Sequence, residues 1–296
     1  MFLRRRVPPR RMTIEMLTVL EIIKKTTDFF AAKGIESSRL NAELLIGHAL
    51  GLKRMQLYLQ FERPLSEVEL EQIRPLVRRR GLHEPLQYIM GEVEFQGLKL
   101  KVDRRALIPR PETELLVELA AASCGTVPMQ VLDLGTGTGA IALALAKIFS
   151  TATVTAVDVS DDALALAREN ALLTGLDGRI AFVRSDWFGQ LPAEGRYDLI
   201  VTNPPYLSAA EVAQTAPEVR DHEPVSALTS RDSGLADLRA IITAAPHFLA
   251  PGGLLAMETG VAQHAELMRL ARTAGFSHVE SRSDLTGRDR FVFARL

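Results

Sequence analysis

The sequence predicts an α/β fold in which a parallel sheet is covered by helices, preceded by a small helical bundle. From Val131 onward, short apolar segments alternate with helical ones, a pattern that favours a parallel sheet with helices on both faces. The N-terminal part consists instead of short amphipathic helices, which bury their apolar faces by packing together. With 296 residues, 47% of them hydrophobic, the chain can form one large and one small domain.

Bulk composition narrows the function classes. The formal net charge of −1 weighs against an extensive nucleic-acid-binding surface, although it allows a local basic patch. No apolar run approaches the roughly 18 residues needed to span a bilayer. The single cysteine, Cys124, cannot form an internal disulfide and offers no zinc-ligand spacing. We therefore expect a cytoplasmic protein without a metal site.

Residues 1–15 are unusually basic, with five arginines between Arg4 and Arg11. Such a segment is compatible with a nucleic-acid-binding arm or the start of a targeting peptide. We favour a disordered extension, or an upstream start codon with Met12 or Met16 as the true start. No apolar segment follows, which disfavours a secretory signal.

Three helices are expected in the N-terminal part. Residues 16–33 and 38–50 carry apolar side chains at helical spacing, and each segment stops at a glycine that can end a helix. Ser66 begins the third, which has a capping-box glutamate three residues later. This helix should run to Arg80, with a kink or break at Pro75.

The next segment indicates a β-hairpin and a proline-rich loop. Residues 92–95 and 98–102 flank a Gln-Gly pair, which favours a hairpin. Two prolines within 108–114 argue against a helix there. We expect Thr113 to cap a helix over residues 114–122.

The C-terminal part supplies the alternating elements. Helices are expected at 140–149 and 161–173. The predicted strands are 131–134, 154–157, 180–183, 199–201, 254–257 and 291–293.

A glycine-rich loop follows the first of these strands: Gly135-Thr136-Gly137-Thr138-Gly139. Glycines between a strand and a helix allow a ligand to approach backbone N–H groups closely. The loop alone is compatible with NAD, FAD or S-adenosylmethionine, or with no ligand. It lacks the third glycine spacing of a dinucleotide site, and Asp133 would repel a pyrophosphate but suit an ammonium group. These features favour S-adenosylmethionine.

Acidic residues follow the next two strands. Asp158 lies where a carboxylate can accept hydrogen bonds from ribose hydroxyls; the alternative role is an N-cap for the following helix. Asp186 could accept from an adenine amino group, with Trp187 or Phe188 beside the ring. A buried core tryptophan is an equally good interpretation of Trp187.

The tetrapeptide Asn203-Pro204-Pro205-Tyr206 is the most specific motif. Two prolines fix the backbone and leave the carbonyl of Pro204 free to accept a hydrogen bond. The side-chain oxygen of Asn203 is a second acceptor, and Tyr206 offers an aromatic face. Two acceptors can hold a planar NH₂ group, orient it for in-line displacement and stabilise positive charge as it develops. We predict a methyl acceptor that is an amide or aromatic amine.

With both motifs in place, the chain resembles the class I S-adenosylmethionine-dependent methyltransferases, and most of all the HemK/PrmC family of peptide chain release factor N5-glutamine methyltransferases. The resemblance runs from about Met16 to the C-terminus. Besides the glycine loop and the Asn-Pro-Pro-Tyr motif, it rests on residues 84–89, 94–95, 108–114, 223–224 and 287–290.

The resemblance implies a Rossmann-like seven-stranded sheet whose last strand is antiparallel. It implies an N-terminal helical substrate-docking domain (16–84), a β-hairpin linker (85–110) and a catalytic domain (111–296). It also implies methylation of the glutamine in the Gly-Gly-Gln tripeptide of class 1 release factors, with S-adenosylhomocysteine as product. We expect a monomer that does not bind nucleic acid directly.

In this resemblance, the roles of the site residues are assigned as follows. Asn203, Pro204, Pro205 and Tyr206 form the catalytic and substrate-binding motif, and Phe95, Arg110 and Glu112 line the substrate pocket. The cofactor is assigned to residues 135–139, Asp158, Asp186, Trp187 and Asn203.

Three alternatives remain open from the residues. An adenine-N6 methyltransferase of DNA or RNA would also need a clamp for a conjugated NH₂ group, although it must flip a base and grip phosphates. A glutamine methyltransferase of a ribosomal protein is a closer rival. A binding module without catalysis would have no chemical need for both motifs.

Overall fold

A computed structural model describes residues 17–296; the arginine-rich segment and the predicted start positions Met12 and Met16 lie outside these residues. The chain divides into two compact units, the first ending at Met90 and the second spanning Gly91–Leu296. Each unit is described separately.

Five helices make up the described part of the first unit. Two of them begin at capping side chains: Thr18 and Ser66 each form a capping box with the glutamate three residues later. The helices are α1 (Val19–Ala32), α2 (Ser38–Leu50), α3 (Arg54–Tyr58), α4 (Glu67–Gly81) and α5 (Leu86–Met90).

The predicted break at Pro75 is wrong, because α4 continues through it. A proline removes one backbone hydrogen bond, but Leu70 and Ile73 before it and Val77 after it all pack into one apolar cluster. Burial on both sides of the proline therefore holds the helix together.

The second unit begins with a hairpin and continues as alternating strands and helices. The hairpin strands are β1 (Glu92–Phe95) and β2 (Leu98–Lys101). They are followed by α6 (Pro111–Ser123), β3 (Gln130–Leu134), α7 (Ala140–Ile148), β4 (Thr153–Asp158), α8 (Asp161–Thr174), β5 (Ile180–Arg184) and β6 (Tyr197–Thr202). Four short helices come next: α9 (Ala209–Val212), α10 (Pro217–Arg220), α11 (Val225–Leu228) and α12 (Arg231–Gly234). The unit ends with α13 (Ala236–Phe248), β7 (Leu249–Glu258), α14 (His264–Thr273), β8 (His278–Ser283) and β9 (Asp289–Arg295).

The large sheet has seven strands in the order β5-β4-β3-β6-β7-β9-β8. Only β9 is antiparallel to its neighbours, which confirms the predicted fold class. The chain reverses its direction of strand addition between β3 and β6, and ligands of such sheets bind at the carboxyl ends of the strands at this point. The glycine loop follows β3 and the Asn-Pro-Pro-Tyr motif follows β6, so the topology brings the two motifs together.

Helix α6 begins earlier than the sequence suggested. It starts at Pro111 with Arg110 as its N-cap residue, so Thr113 does not cap it. Proline is tolerated at the first helical position because the N–H it lacks has no partner within the helix. The hydroxyl of Thr113 is thereby left for a different role at the site.

The core of the second unit lies on both faces of the sheet. Helix α7 is buried along almost its whole length, since it packs against the sheet on one side and against α6 and the hairpin on the other. Within residues 17–296, no helix combines the length and the apolar character needed to cross a bilayer.

Candidate functional site

A cavity of about 550 Å³ opens at the carboxyl ends of β3, β4 and β6. Its volume suits a ligand of cofactor size. Most of the predicted site residues line it: Gly135, Thr136, Gly137, Thr138, Asp158, Asp186, Trp187, Asn203, Pro205 and Arg110.

The glycine loop is shaped by its backbone. All three glycines adopt positive φ angles. A Cβ atom at Gly139 would lie 3.2 Å from the Cβ of Ala167 in α8, so the close approach of the loop to α8 at this position favours glycine. The N–H of Gly137 donates to the carboxylate of Asp158 at 2.9 Å. Gly139 itself is the N-cap residue of α7 and does not line the cavity.

Asp133 holds this loop through hydrogen bonds to its buried carboxylate. It is fully buried, and its Oδ2 accepts hydrogen bonds from the Thr136 hydroxyl (2.6 Å) and the Ala142 N–H (3.1 Å). Its Oδ1 is buried without a hydrogen-bond partner, and desolvation raises the pKa of this carboxyl to about 7. Because Asp133 does not line the cavity, the structure gives it a role in loop shape rather than direct contact with an ammonium group.

Asp158 lies at the end of β4 and lines the cavity. Its two oxygens accept from the N–H groups of Gly137 and Ser160, and burial raises its pKa. The N-cap of α8 is Ser160, whose hydroxyl accepts from the N–H of Ala163, so Asp158 is not the helix cap. A carboxylate offers about four acceptor positions, so Asp158 can still accept a hydrogen bond from a ligand.

Trp187 lies against the glycine loop. Its ring is 3.4 Å from where a Cβ atom on Gly135 would stand, and its indole N–H donates to Asp237 at 3.1 Å. Its φ angle is +48°, an uncommon backbone conformation for a bulky residue. Asp186 beside it is exposed. The half-buried Trp187 is therefore a wall of the cavity and not only a core residue.

The Asn-Pro-Pro-Tyr motif is held in place by a network of buried hydrogen bonds. The Asn203 Nδ2 donates to the Thr113 hydroxyl at 3.0 Å, and that hydroxyl donates to Glu258 Oε2 at 2.7 Å. The Tyr206 hydroxyl donates to Glu258 Oε1 at 3.0 Å. Pro204 is buried, whereas Pro205 lines the cavity. The side-chain oxygen of Asn203 is left as an acceptor.

Charges around this network keep Tyr206 neutral. Desolvation and the neighbouring Glu258 carboxylate raise the pKa of the Tyr206 hydroxyl. Desolvation also raises the pKa of Glu258, an effect that the guanidinium of Arg290 opposes. Arg290 lies 5.9 Å from the centre of the Tyr206 ring. The backbone carbonyl of Tyr206 accepts from the Gln263 side chain at 2.9 Å, so the motif is held at both its side chain and its backbone.

The three remaining predicted residues differ in their positions. Arg110 lines the cavity and forms a 2.6 Å ion pair with the buried Glu223, whose other oxygen accepts from the N–H of Ile108. Glu112 lies 3.9 Å from Arg288 and is not part of the cavity wall. Phe95 is buried in the core beneath the hairpin, because alternation along β1 points it inward; this position does not support its predicted contact with substrate.

In the network behind Asn203, sequence reasoning missed two groups, the Thr113 hydroxyl and Glu258. Thr113 was interpreted as a helix cap. Glu258 is the last residue of β7, so it stands at the carboxyl end of a strand, as Asp158 does. The rule that singled out Asp158 could therefore have identified Glu258 as well.

Two family models match the chain. The PrmC N-terminal domain matches residues 21–91, and the Methyltransferase small domain matches residues 111–219. The first match falls almost wholly within the helical unit, and the second covers the glycine loop and the Asn-Pro-Pro-Tyr motif.

Curated relatives match over nearly the full length. A release factor glutamine methyltransferase of Chlorobaculum tepidum is 45% identical over 282 residues, which cover 92% of this chain and 95% of the relative. The enzyme of the same name from Geobacter sulfurreducens is 41% identical over 95% of this chain and 98% of its own. Among solved structures, a methyltransferase from Pyrococcus furiosus superposes with a TM-score of 0.51 at 19% identity, over 67% of this chain and 89% of its own; it supports the fold alone.

Proposed function

The chain belongs to the family of release factor glutamine methyltransferases, and on that premise we propose that it methylates the side-chain amide nitrogen (N5) of the glutamine in the Gly-Gly-Gln tripeptide of class 1 peptide chain release factors. The observation that carries the chemistry is the Asn203 side chain at the cavity wall, with its NH₂ group bound to Thr113 and its oxygen available as an acceptor. The near full-length identity supports the choice of substrate.

The residues around the cavity fit S-adenosylmethionine as the methyl donor. Four aspartates (Asp158, Asp162, Asp186 and Asp237) and three arginines (Arg104, Arg105 and Arg110) line the cavity. Arg105 and Arg110 form ion pairs with carboxylates that are not part of the lining, so the wall suits a cationic ligand better than a pyrophosphate. We assign the ribose hydroxyls to Asp158 and the adenine to the region of Asp186 and Trp187, with the glycine loop and Asn203 completing the site. When bound, S-adenosylmethionine supplies an activated methyl group and leaves as S-adenosylhomocysteine.

The acceptor motif prepares a weak nucleophile. The lone pair of an amide nitrogen is delocalised, so the nitrogen reacts only when it is oriented and when positive charge on it is stabilised. We propose that the Asn203 oxygen and the Pro204 carbonyl accept the two N–H hydrogens of the glutamine side chain. Tyr206 packs against the amide, and Pro205 fixes the turn.

No general base is needed before transfer. The N–H bonds of the amide become acidic only after the methyl group has been added, so a proton can leave at that stage. Neither Tyr206 nor Glu258 is available as a base, because the phenol keeps its proton and Glu258 already accepts from Thr113 and Tyr206. We propose that these two groups hold the site and do not exchange protons with substrate.

The partner is a release factor, and we place the reaction in the cytoplasm, where translation takes place. We propose that the protein acts as a monomer.

A labelled-methyl transfer assay tests the proposal directly. The protein is incubated with labelled S-adenosylmethionine and, in separate reactions, a class 1 release factor, the same factor with its Gly-Gly-Gln glutamine replaced, a ribosomal protein mixture and duplex DNA. We expect label only on the unmodified release factor. Label on DNA or on ribosomal protein, with none on the release factor, would contradict the proposal.

Replacing the motif asparagine separates chemistry from cofactor binding. Asn203→Ala should lower kcat by about 10²–10³-fold, because one of the two acceptors for the developing charge is lost. Cofactor affinity should largely survive and can be followed by the fluorescence of Trp187, the only tryptophan. A variant that methylates at the wild-type rate would show that Asn203 does not hold the acceptor.

A further inference from the structure

Three side chains that are far apart in sequence meet behind the acceptor motif. Thr113 comes from the first turn of α6, Asn203 follows β6 and Glu258 ends β7. Thr113 is 5% exposed and Glu258 2% exposed. The contacts join Asn203 Nδ2 to Thr113 Oγ1 at 3.0 Å and Thr113 Oγ1 to Glu258 Oε2 at 2.7 Å.

The chemistry of these groups fixes the direction of both hydrogen bonds. Desolvation raises the pKa of Glu258. The hydrogen bonds from Thr113 and Tyr206 and the nearby guanidinium of Arg290 all oppose this shift and favour the ionised carboxylate. An ionised carboxylate can only accept, and a threonine hydroxyl has a single hydrogen to donate. The Thr113 hydrogen goes to Glu258, so its oxygen can only accept from Asn203. Of the two ends of the Asn203 amide, only the NH₂ group can donate. The amide therefore has one allowed orientation, with its oxygen directed away from Thr113.

The opposite orientation would disable the site. It would place two acceptor oxygens, those of Asn203 and Thr113, in contact without a hydrogen between them. It would also turn the Asn203 NH₂ group toward the NH₂ group of the substrate, so that two hydrogen-bond donors would face each other. Holding the Asn203 amide in one orientation is thus a requirement of the chemistry and not only of packing.

The same carboxylate also holds the other end of the motif. Glu258 Oε1 accepts the hydrogen of the Tyr206 hydroxyl at 3.0 Å. One buried carboxylate therefore sets the hydrogen-bond polarity at the first and the last residue of the Asn-Pro-Pro-Tyr segment.

We infer that Glu258, acting through the hydroxyl of Thr113, is a positioning residue that holds the Asn203 amide with its oxygen toward the methyl-accepting NH₂ group. The inference rests on the proposed function only for the identity of the acceptor. Any planar NH₂ group held by Asn203 would need the same orientation.

Substitution of Thr113 tests the connection, because it removes the hydroxyl without removing charge. Thr113→Val keeps the shape of the side chain, and Thr113→Ser keeps the hydroxyl. We expect Thr113→Val to lower kcat by roughly 10- to 100-fold, as misorientation of a positioning group does, with little change in KM for the release factor. Thr113→Ser should stay within about threefold of the wild-type kcat.

Two controls separate positioning from general damage. Thr174→Val removes a hydroxyl that bonds only to backbone carbonyls of α8, and it should leave kcat unchanged. Urea unfolding and the Trp187 fluorescence titration show whether each variant folds and binds the cofactor. A wild-type kcat in Thr113→Val would overturn the inference, and so would an equal loss in Thr113→Ser, because methyl packing would then be what matters.

A double-mutant comparison tests whether Thr113 works through Asn203. In the Asn203→Ala background there is no amide left to orient. Adding Thr113→Val should then change kcat by less than about twofold, since coupled residues are not additive. A full 10- to 100-fold further loss would mean that Thr113 acts independently of Asn203, contrary to the inference.

A magnetic-resonance measurement decides the matter without activity. The side-chain NH₂ signals of Asn203 can be assigned in a ¹H–¹⁵N spectrum by their loss in Asn203→Ala. They should be protected from solvent exchange in the wild type and in Thr113→Ser, and lose that protection in Thr113→Val; unchanged protection in Thr113→Val would overturn the inference. If the wild type fails to label a release factor, the proposed acceptor is wrong, and this comparison still decides the role of Thr113.

Discussion

At the scale of single residues, Asp133 shows how a buried carboxyl shapes a ligand loop at a cost in stability. Its Oδ2 accepts two hydrogen bonds, whereas its Oδ1 is buried with none. Desolvation therefore favours the protonated form and raises the pKa to about 7. The residue holds Thr136 and the start of α7 in place, and this requires a short acceptor at the end of β3.

The raised pKa of Asp133 predicts a dependence of stability on pH. The folded pKa lies above the unfolded value, so the contribution of this group is full below about pH 4 and is lost as the pH rises through 7. Asp133→Asn keeps an oxygen for both hydrogen bonds and removes the titration. Between pH 5 and pH 7, the wild type should lose about 2 kcal/mol of unfolding free energy relative to Asp133→Asn.

Urea unfolding of the cofactor-free protein at several pH values measures this difference. Asp177→Asn, which replaces an exposed aspartate, is the matched control and should follow the wild type. Parallel curves for the wild type and Asp133→Asn would show that Asp133 is ionised throughout the range.

The sequence identified the residues expected to contact ligands, but not the buried residues that hold them in place. Asn203, Asp158 and Trp187 were identified from the sequence because each follows a predicted strand at the edge where ligands bind. Thr113 was assigned to the wrong task, because its bond to Glu258 joins positions 145 residues apart. A contact of that kind depends on how α6 packs beside β7, which no local pattern reports.

At the scale of elements, Asn170 joins the hairpin to the glycine loop. It is fully buried in α8. Its side-chain oxygen accepts from the N–H of Lys101 at 2.7 Å, and its NH₂ group donates to the carbonyls of Lys101 (3.0 Å) and Thr138 (2.9 Å). One side chain thus bonds to the backbone N–H and carbonyl of Lys101 at the end of β2, as a neighbouring strand would. It also holds the carbonyl of Thr138 in the glycine loop.

Replacing Asn170 should therefore affect both stability and cofactor binding. Asn170→Ala leaves one buried and two partly buried backbone groups without this partner and should cost about 2–3 kcal/mol of unfolding free energy. Asn170→Asp can still accept from Lys101 but cannot donate to either carbonyl, so it should not restore stability. Urea unfolding and the Trp187 fluorescence titration measure the two effects. Wild-type affinity for S-adenosylmethionine in a folded Asn170→Ala protein would show that the loop does not depend on this bond.

Among the longer elements, sequence analysis missed β8, α13 and α14, and of these only β8 has a weak local signal. Strand β8 has the sequence His-Val-Glu-Ser-Arg-Ser and lies at the edge of the sheet, so it has neither the apolar run nor the alternation that marked the inner strands. The six inner and opposite-edge strands were all anticipated. Helix α4 shows the converse error, because packing on both sides outweighed the proline at position 75.

At the scale of the whole molecule, the cavity is built by one of the two units. Among residues 17–296, all those that line the cavity belong to the unit Gly91–Leu296. The hairpin also belongs to this unit, because Phe95 and Leu100 pack in the same core as α6 and α7. In the described part of the chain, the cavity wall contains no residue of the helical unit. Recognition of the protein substrate by this unit stays a prediction.

This division predicts how a fragment of residues 91–296 behaves. It should bind S-adenosylmethionine with an affinity within about threefold of the full chain, because the cavity wall is complete. Its kcat/KM for an intact release factor should fall by about tenfold or more, as binding energy away from the reacting group is lost. A short peptide that contains Gly-Gly-Gln should be methylated equally by fragment and full chain, since it reaches only the cavity. Cooperative urea unfolding of the fragment is the control for folding. Equal kcat/KM for the intact release factor would show that the helical unit has no part in recognising it.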